Sequence, residues 1–126
     1  MQRLTKAEEE IMQMIWDDGP STVSQLIAKM DDPKPPHSTI SSIVRILEKK
    51  EFVDHKAYGR TYEYFPVIEK KEYTGFSLKR LVSSYFQGSM KELVSFLVEE
   101  ENLSLEELAE LQKDLHEGEL SNESKT

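Results

Sequence analysis

Residues 38 to 67 read STISSIVRILEKKEFVDHKAYGRTYEYFPV. The first part, up to about residue 50, places apolar residues at helical spacing and leaves hydroxyl groups and charges on the other side. Two β-prone runs follow, and they bracket Tyr58-Gly59-Arg60. A short turn containing glycine between two such runs is typical of a β-hairpin. The stretch therefore predicts a helix followed by a hairpin.

Two further helices are predicted upstream of this stretch. The first begins at the capping box Thr5-Lys6-Ala7-Glu8 and ends at Gly19-Pro20. The second begins at residue 21 or 22, and a proline-rich loop at residues 31 to 36 ends it. Three helices followed by a hairpin is the order of a winged helix-turn-helix, which we predict for residues 1–68. The buried stripe of the first helix is predicted to contain Ala7, Ile11, Met14 and Ile15.

The exposed face of the third predicted helix carries small polar groups. Helix-turn-helix proteins place this helix in the major groove, where base edges present hydrogen-bond donors and acceptors. One hydroxyl, that of Ser38 or Thr39, is also expected to cap the helix. A solvated helix face is the plain alternative. We predict a DNA-reading face that consists of His37, Ser38, Thr39, Ser41, Ser42 and Arg45.

Lys56, Tyr58 and Arg60 lie at or near the tip of the predicted hairpin. We predict that this hairpin is a wing and that these three side chains contact the DNA backbone or minor groove. A solvated turn is the alternative interpretation. Tyr62, Tyr64 and Phe65 are expected to lie half in the core. We predict no metal site at His37 or His55, because neither has a second ligand at a suitable spacing.

The net charge of −8 is unevenly distributed. Residues 1–82 carry thirteen basic and thirteen acidic side chains, whereas residues 83–126 carry three and eleven. Residues 34–62 carry six basic and three acidic side chains, a local net charge of +3. This asymmetry suggests that one part of the chain meets an anion and the other part stays away from it.

Residues 69–118 predict a helical dimerisation domain, and residues 119–126 a disordered polar tail. The predicted helices are apolar on one face, yet a segment this short rarely buries enough apolar surface to form a stable core of its own. We therefore expect them to pack against a second copy. A ligand pocket lined by the aromatic residues at 73 to 86 is the alternative. The predicted interface consists of Phe76, Leu81, Tyr85, Phe86, Leu93, Phe96, Leu97, Leu108 and Leu111.

Several other classes of protein are not indicated. The chain has no phosphate-binding glycine loop, nucleophile elbow or separated carboxylate pair, so we predict neither an enzyme nor a cofactor. It has no apolar run long enough to span a membrane and no signal-peptide pattern, and it contains no cysteine. A cytoplasmic protein without membrane insertion is expected.

The segments LTKAEEEIMQMIW, STISSIVRILEKKEFV and YGRTYEYFPVI together resemble the penicillinase-repressor family over about residues 4 to 115. That family includes repressors of β-lactamase and methicillin-resistance genes and copper-responsive repressors. The resemblance implies a winged-helix domain, a helical dimerisation domain and repression by a homodimer on a palindromic DNA operator. Its antibiotic-responsive members respond to a membrane-bound sensor protease, which is one candidate partner here; a different protease or a ligand is the alternative signal.

Two departures from the family pattern limit these expectations. Copper-responsive members use a cysteine-rich tail, which this chain lacks. Antibiotic-responsive members are cleaved between an Asn and a Phe in the dimerisation domain, and the matching positions here are Phe96 and Leu97. Phe96 and Leu97 therefore mark a candidate cleavage region without the family's Asn. The alternative to a repressor is a winged-helix module that binds a protein partner through the same surface.

Overall fold

The structure, a computed structural model, describes residues 1–102, 104–107, 109–110 and 113. None of the helices within these ranges has the length and apolarity that a membrane span requires. In chain order the elements are α1 (Lys6–Asp18), β1 (Ser21–Thr22), α2 (Val23–Ala28), α3 (His37–Lys49), β2 (Val53–Tyr58), β3 (Thr61–Pro66), α4 (Lys70–Tyr85) and α5 (Met90–Glu100).

The first of two compact units spans Met1–Leu78, and the second begins at Lys79. The sequence places the boundary between the domains at residue 68. The first unit extends further because the beginning of α4 supplies Tyr73, which is buried in the core of that unit.

The first unit has the element order of a winged helix, as the sequence predicts. Its sheet has the order β1-β3-β2, with both pairs antiparallel. The hairpin pairs Val53 with Pro66 at one end and Tyr58 with Thr61 at the other. The short strand β1 was not predicted, because two residues carry no alternating pattern. It pairs Ser21 with Tyr64 on the outer side of β3.

The capping box at the start of α1 is confirmed. The Thr5 hydroxyl accepts a hydrogen bond from the Glu8 N–H, and the Glu8 carboxylate accepts one from the Thr5 N–H. The predicted buried stripe is partly wrong, since Ala7 is exposed and Met14 is only half-buried. Glu8 and Met12 are buried instead. The core contains Leu4, Ile11, Met12, Ile15, Val23, Leu26, Ile40, Val44, Leu47, Phe52, Val53, Tyr64 and Tyr73.

Helix α3 begins without a side-chain cap. Its N-cap is Pro36, whose extended backbone (φ −60°, ψ 144°) leads the chain into the first turn. The expectation that Ser38 or Thr39 caps the helix is therefore wrong. Both residues lie inside the first turn, and the Thr39 N–H donates to the Pro36 carbonyl at 3.1 Å. Their hydroxyl groups are exposed and have no capping role.

Helix α3 ends in a Schellman motif, a pair of hydrogen bonds that closes the last turn. The Glu51 N–H donates to the Glu48 carbonyl and the Phe52 N–H to the Leu47 carbonyl, both at 2.9 Å. Glu51 has a φ of 66°, a left-handed conformation that usually belongs to glycine. The motif turns the chain so that Phe52 packs in the core, where it is fully buried.

An ion pair between the buried Glu8 and the half-buried Lys50 joins the start of α1 to the end of α3. The Lys50 ammonium lies 2.6 Å and 3.0 Å from the two carboxylate oxygens of Glu8. Burial raises the pKa of Glu8, but the hydrogen bonds and charge of Lys50 and the hydrogen bonds from Thr5 outweigh it. The pKa of Glu8 is therefore lowered from its usual 4.5.

Tyr73 anchors the beginning of α4 in the first unit. Its hydroxyl accepts a hydrogen bond from the Leu4 N–H and donates one to the Glu9 carboxylate, both at 3.1 Å. Its ring packs edge-on against Trp16 and Phe52, at centroid distances of 5.9 Å and 5.4 Å. Phe76, which the sequence assigns to a dimer interface, packs partly buried against this same core.

The described part of the second unit is helical and sparsely buried. The Ser89 hydroxyl caps α5 by accepting from the Glu92 N–H at 3.2 Å. Phe86 and Phe96 pack edge-on with ring centroids 5.7 Å apart. No residue of α5 is buried. Leu108 and Leu111, two predicted interface residues, lie outside the described residues.

Glu51→Gly is expected to stabilise the first unit by about 1 kcal/mol, because glycine adopts the left-handed conformation without a Cβ clash. Urea unfolding of the full chain measures this change. Glu51→Gln is the matched control, since it removes the charge and keeps the strained backbone. Equal gains for the two variants would assign the effect to charge and contradict the backbone explanation.

Lys50→Met is expected to lower the free energy of unfolding by about 2 kcal/mol at neutral pH, because it leaves the Glu8 carboxylate buried and unpaired. The deficit should shrink as the pH falls through the lowered pKa of Glu8, where the wild-type pair is lost too. Urea unfolding at several pH values measures it. Lys49→Met, which changes an exposed neighbour, should stay within about 0.5 kcal/mol. A deficit that persists unchanged at acidic pH would contradict this role for the pair.

Candidate nucleic-acid interface

The outer face of α3 carries most of the predicted DNA-reading residues. His37, Ser38, Thr39, Ser42 and Arg45 are exposed, and Ser41 is half-buried. The opposite face of the helix is buried through Ile40, Val44 and Leu47. The helix is thus held by its apolar side while its hydroxyl groups and guanidinium face outward.

The wing tip is a two-residue turn. Tyr58 and Thr61 form the last pair of the hairpin, so Gly59 and Arg60 make the turn between them. Gly59 has a φ of 64°, the positive value that tight hairpin turns require at this position. Tyr58 is 60% exposed, and Arg60 and Lys56 are exposed as well. Lys56 lies directly opposite Glu63 across the strand pair.

A surface groove runs between α3, the beginning of α2 and the hairpin. It brings together four of the predicted residues, His37, Ser41 and Arg45 from α3 with Arg60 from the turn. Lys56 and Tyr58 do not line it. Its other lining residues are Thr22, Val23, Ser24, Thr61, Tyr62 and Tyr64.

The cationic character of the region is concentrated on fewer side chains than the sequence suggests. Lys50 is paired with Glu8, and the Lys34 ammonium donates to the Met30 carbonyl at 2.6 Å. Among the described residues, Arg45 and Arg60 are in no ion pair. The two arginines that border the groove are therefore available to an anionic ligand.

Tyr62 and Tyr64 lie on the same face of β3 but differ in burial. Tyr64 is buried, and burial, with the negative charge of Glu48, raises the pKa of its hydroxyl despite the nearby Arg45. Tyr62 is 47% exposed, so about half of this residue is accessible to solvent. The strand runs past the edge of the core, which leaves Tyr62 in the groove. The alternating pattern in the sequence predicts on which face of the sheet a side chain lies. It does not predict how far along the strand the core extends.

His55 joins the hairpin to α3. Its ring contacts the Glu48 carboxylate and stacks on Tyr62, with ring centroids 4.2 Å apart. The ligand atoms of Glu48, Asp54 and His55 lie within 4.8 Å of one another. The premise that His55 has no potential second ligand nearby is therefore wrong. Glu48 belongs to the helix, and its proximity arises only when the hairpin folds back.

Comparison with known proteins identifies the family to which the chain is similar. The family model described as penicillinase repressor matches residues 4–117. The methicillin resistance regulatory protein MecI of Staphylococcus aureus (strain N315) is 27% identical over 114 residues, 90% of this chain and 93% of that protein. The penicillinase repressor of Bacillus licheniformis is 27% identical over 120 residues, 91% of each chain. A MarR family protein from Bacillus stearothermophilus aligns with a TM-score of 0.47 and 18% identity, over 99% of this chain and 78% of that chain.

The winged-helix fold and the matching family define a transcriptional repressor rather than an enzyme. The chain belongs to the penicillinase-repressor family, whose model covers residues 4–117. The resemblance drawn from the sequence alone is thereby confirmed.

Proposed function

We propose that the chain represses transcription in the cytoplasm as a homodimer that binds a palindromic DNA operator. Each subunit inserts α3 into a major groove and rests its hairpin turn on the adjacent backbone. The two half-sites then lie about one helical turn, roughly 34–36 Å, apart. The alternative, a winged helix that binds a protein partner, draws on the net charge of −8.

The groove between α3 and the hairpin is the observation that carries this proposal. Arg45 lines it from α3 and Arg60 lines it from the hairpin turn. Neither side chain is in an ion pair with another described residue. Two uncompensated cations favour a polyanion, since neutralising phosphates releases their condensed counterions. A protein partner would need acidic groups at the same two positions.

Helix α3 and the hairpin have different roles in this DNA-binding surface. The exposed Ser38, Thr39 and Ser42 are short enough to let the helix approach base edges closely and hydrogen-bond to them. His37, Ser41 and Arg45 extend the same surface into the groove. Lys56, Tyr58 and Arg60 on the hairpin contact phosphates, which fix the register of the protein without reading sequence.

The second unit supplies the dimer contact in this proposal. Leu81 and Phe96 are each 43% exposed and Tyr85 is 80% exposed. Large apolar side chains exposed together on short helices favour association with a second copy. The half-buried Phe86, Leu93 and Leu97 lie among them in the chain and complete the apolar surface. Phe76 is assigned to the first unit instead, because it packs on that core.

Release from the operator follows from loss of the dimer. One half-site holds a single winged helix, so a monomer makes half of the phosphate contacts and binds far more weakly. Cleavage near Phe96 and Leu97 by a membrane sensor protease would divide α5 and remove this contact. The bond lies within the helix, so cleavage requires α5 to open locally.

Arg45→Ala and Arg60→Ala are each expected to weaken binding to promoter DNA by at least about ten-fold, because a dimer loses two cations. Fluorescence anisotropy with the promoter of the chain's own gene, at about 50 and 200 mM salt, measures the affinity and its salt dependence. Arg60→Ala should reduce the slope of the salt dependence. Lys6→Ala, an exposed cation on α1, is the control. Unchanged affinity in both arginine variants would refute this assignment, and a wild-type protein that binds no DNA at low salt would favour a protein partner.

Leu97→Glu is expected to convert the dimer into monomers, because a charge cannot be buried unpaired in an apolar interface without a large cost. Analytical ultracentrifugation measures the mass of the species in solution. Ser95→Glu places the same charge on the opposite side of α5 and should leave the dimer intact. A dimeric Leu97→Glu protein would show that α5 does not form the interface.

A further inference from the structure

Helix α3 exposes one isoleucine among its polar side chains. Ile46 is 44% exposed, whereas Ile40, Val44 and Leu47 on the same helix are at most 4% exposed. From the sequence alone, Ile46 is predicted to belong neither to the buried stripe of the helix nor to its DNA-reading face. Scattered exposed apolar residues are common on protein surfaces, so exposure alone indicates no function.

The position of Ile46 on the helix is informative. An α-helix turns by about 100° per residue, so residues separated by three, four or seven positions share a face. Ile46 follows Ser42 by four positions and Thr39 by seven, and it precedes Lys49 by three. Ile46 therefore lies in the outer stripe, near the edge that Thr39 forms, within an arc of about 120° that contains Ser38, Thr39, Ser42, Arg45, Ile46 and Lys49.

Every neighbour of Ile46 in this stripe can form a hydrogen bond or carry a charge, and Ile46 can do neither. In the major groove, one base edge presents an apolar group: the C5-methyl of thymine. Apolar side chains recognise thymine by packing against that methyl. Isoleucine suits this contact because in a helix its β-branched side chain has essentially one χ1 rotamer.

We propose that Ile46 is a specificity-determining residue that selects thymine by contact with its C5-methyl group. The inference rests on the proposed binding of α3 in the major groove and names one feature that the operator must have. Each half-site contains a thymine whose methyl group lies against Ile46. Arg45 and the hydroxyl groups beside it hold the helix at the depth that brings the two methyl-bearing groups together.

The test replaces thymine by deoxyuridine, which removes the methyl group and leaves every hydrogen-bonding group of the base unchanged. Footprinting on the chain's own promoter first locates the operator. Each thymine in a half-site is then replaced in turn, symmetrically in both halves, and binding is measured by fluorescence anisotropy. One replacement should weaken wild-type binding by about four-fold per half-site, the value of one buried methyl group.

The Ile46→Ala variant completes a double-mutant cycle. It should bind the thymine operator more weakly than the wild type, and the sensitive deoxyuridine replacement should cost it nothing further. Because the side chain is exposed, the variant should unfold at the wild-type temperature, which thermal melting checks. Lys49→Ala is the matched control from the same stripe, and it should keep the full deoxyuridine penalty.

The outcomes separate this inference from the proposed function. Wild-type protein that binds no promoter DNA at low salt overturns both. Salt-sensitive binding with no deoxyuridine penalty at any thymine retains the repressor mechanism and overturns the role of Ile46. A penalty that persists in Ile46→Ala assigns methyl recognition to another residue and also overturns the proposal. Only a penalty that disappears with the isoleucine side chain supports it.

Discussion

The ion pair between Glu8 and Lys50 is the interaction that ties the first helix of the winged helix to the end of the third. It joins residues 42 positions apart, at 2.6 Å, where α1 begins and α3 ends. The same carboxylate closes the capping box of α1. The residue after Lys50 turns left-handed and delivers Phe52 to the core. The Schellman motif that follows Lys50 sets the place where α3 stops, and hence where the hairpin starts.

The charge pattern of the recognition surface is a consequence of these internal contacts. Lys50 and Lys34 are engaged within the protein, so the positive region between residues 34 and 62 is carried outward by Arg45 and Arg60 beside the groove and by the exposed Lys49 and Lys56. A small number of free cations in fixed positions suits binding that depends on geometry as well as on charge. In the proposed complex, the acidic second unit repels phosphate and leaves the first unit to contact DNA.

Local patterns account for much of the fold. The Thr5 capping box, the spacing of Ile40, Val44 and Leu47, and the glycine turn are visible in the sequence, and each dictates its element without distant help. Among the features that were missed, the short strand β1 depends on pairing with the distant strand β3. The N-cap at Pro36 and the proximity of Glu48 to His55 arise within short stretches of chain, but no capping motif or ligand spacing marks them in the sequence. At the site, helical spacing identified the outer face of α3, but the rest of the groove lining comes from the beginning of α2 and from the hairpin. The exposure of Ile46 likewise appears only when the helix is packed.

The most direct test of the central claim, that α3 and the hairpin together form the DNA-binding surface, is to map the contact by NMR. Backbone amide shifts of the isotopically labelled full chain are recorded as promoter DNA is added. The account predicts that the largest shifts occur in His37–Lys49 and around Gly59 and Arg60, and that the exposed side of α1 shifts little. Large shifts confined to α1 or to the second unit, with α3 and the hairpin turn unchanged, would contradict it.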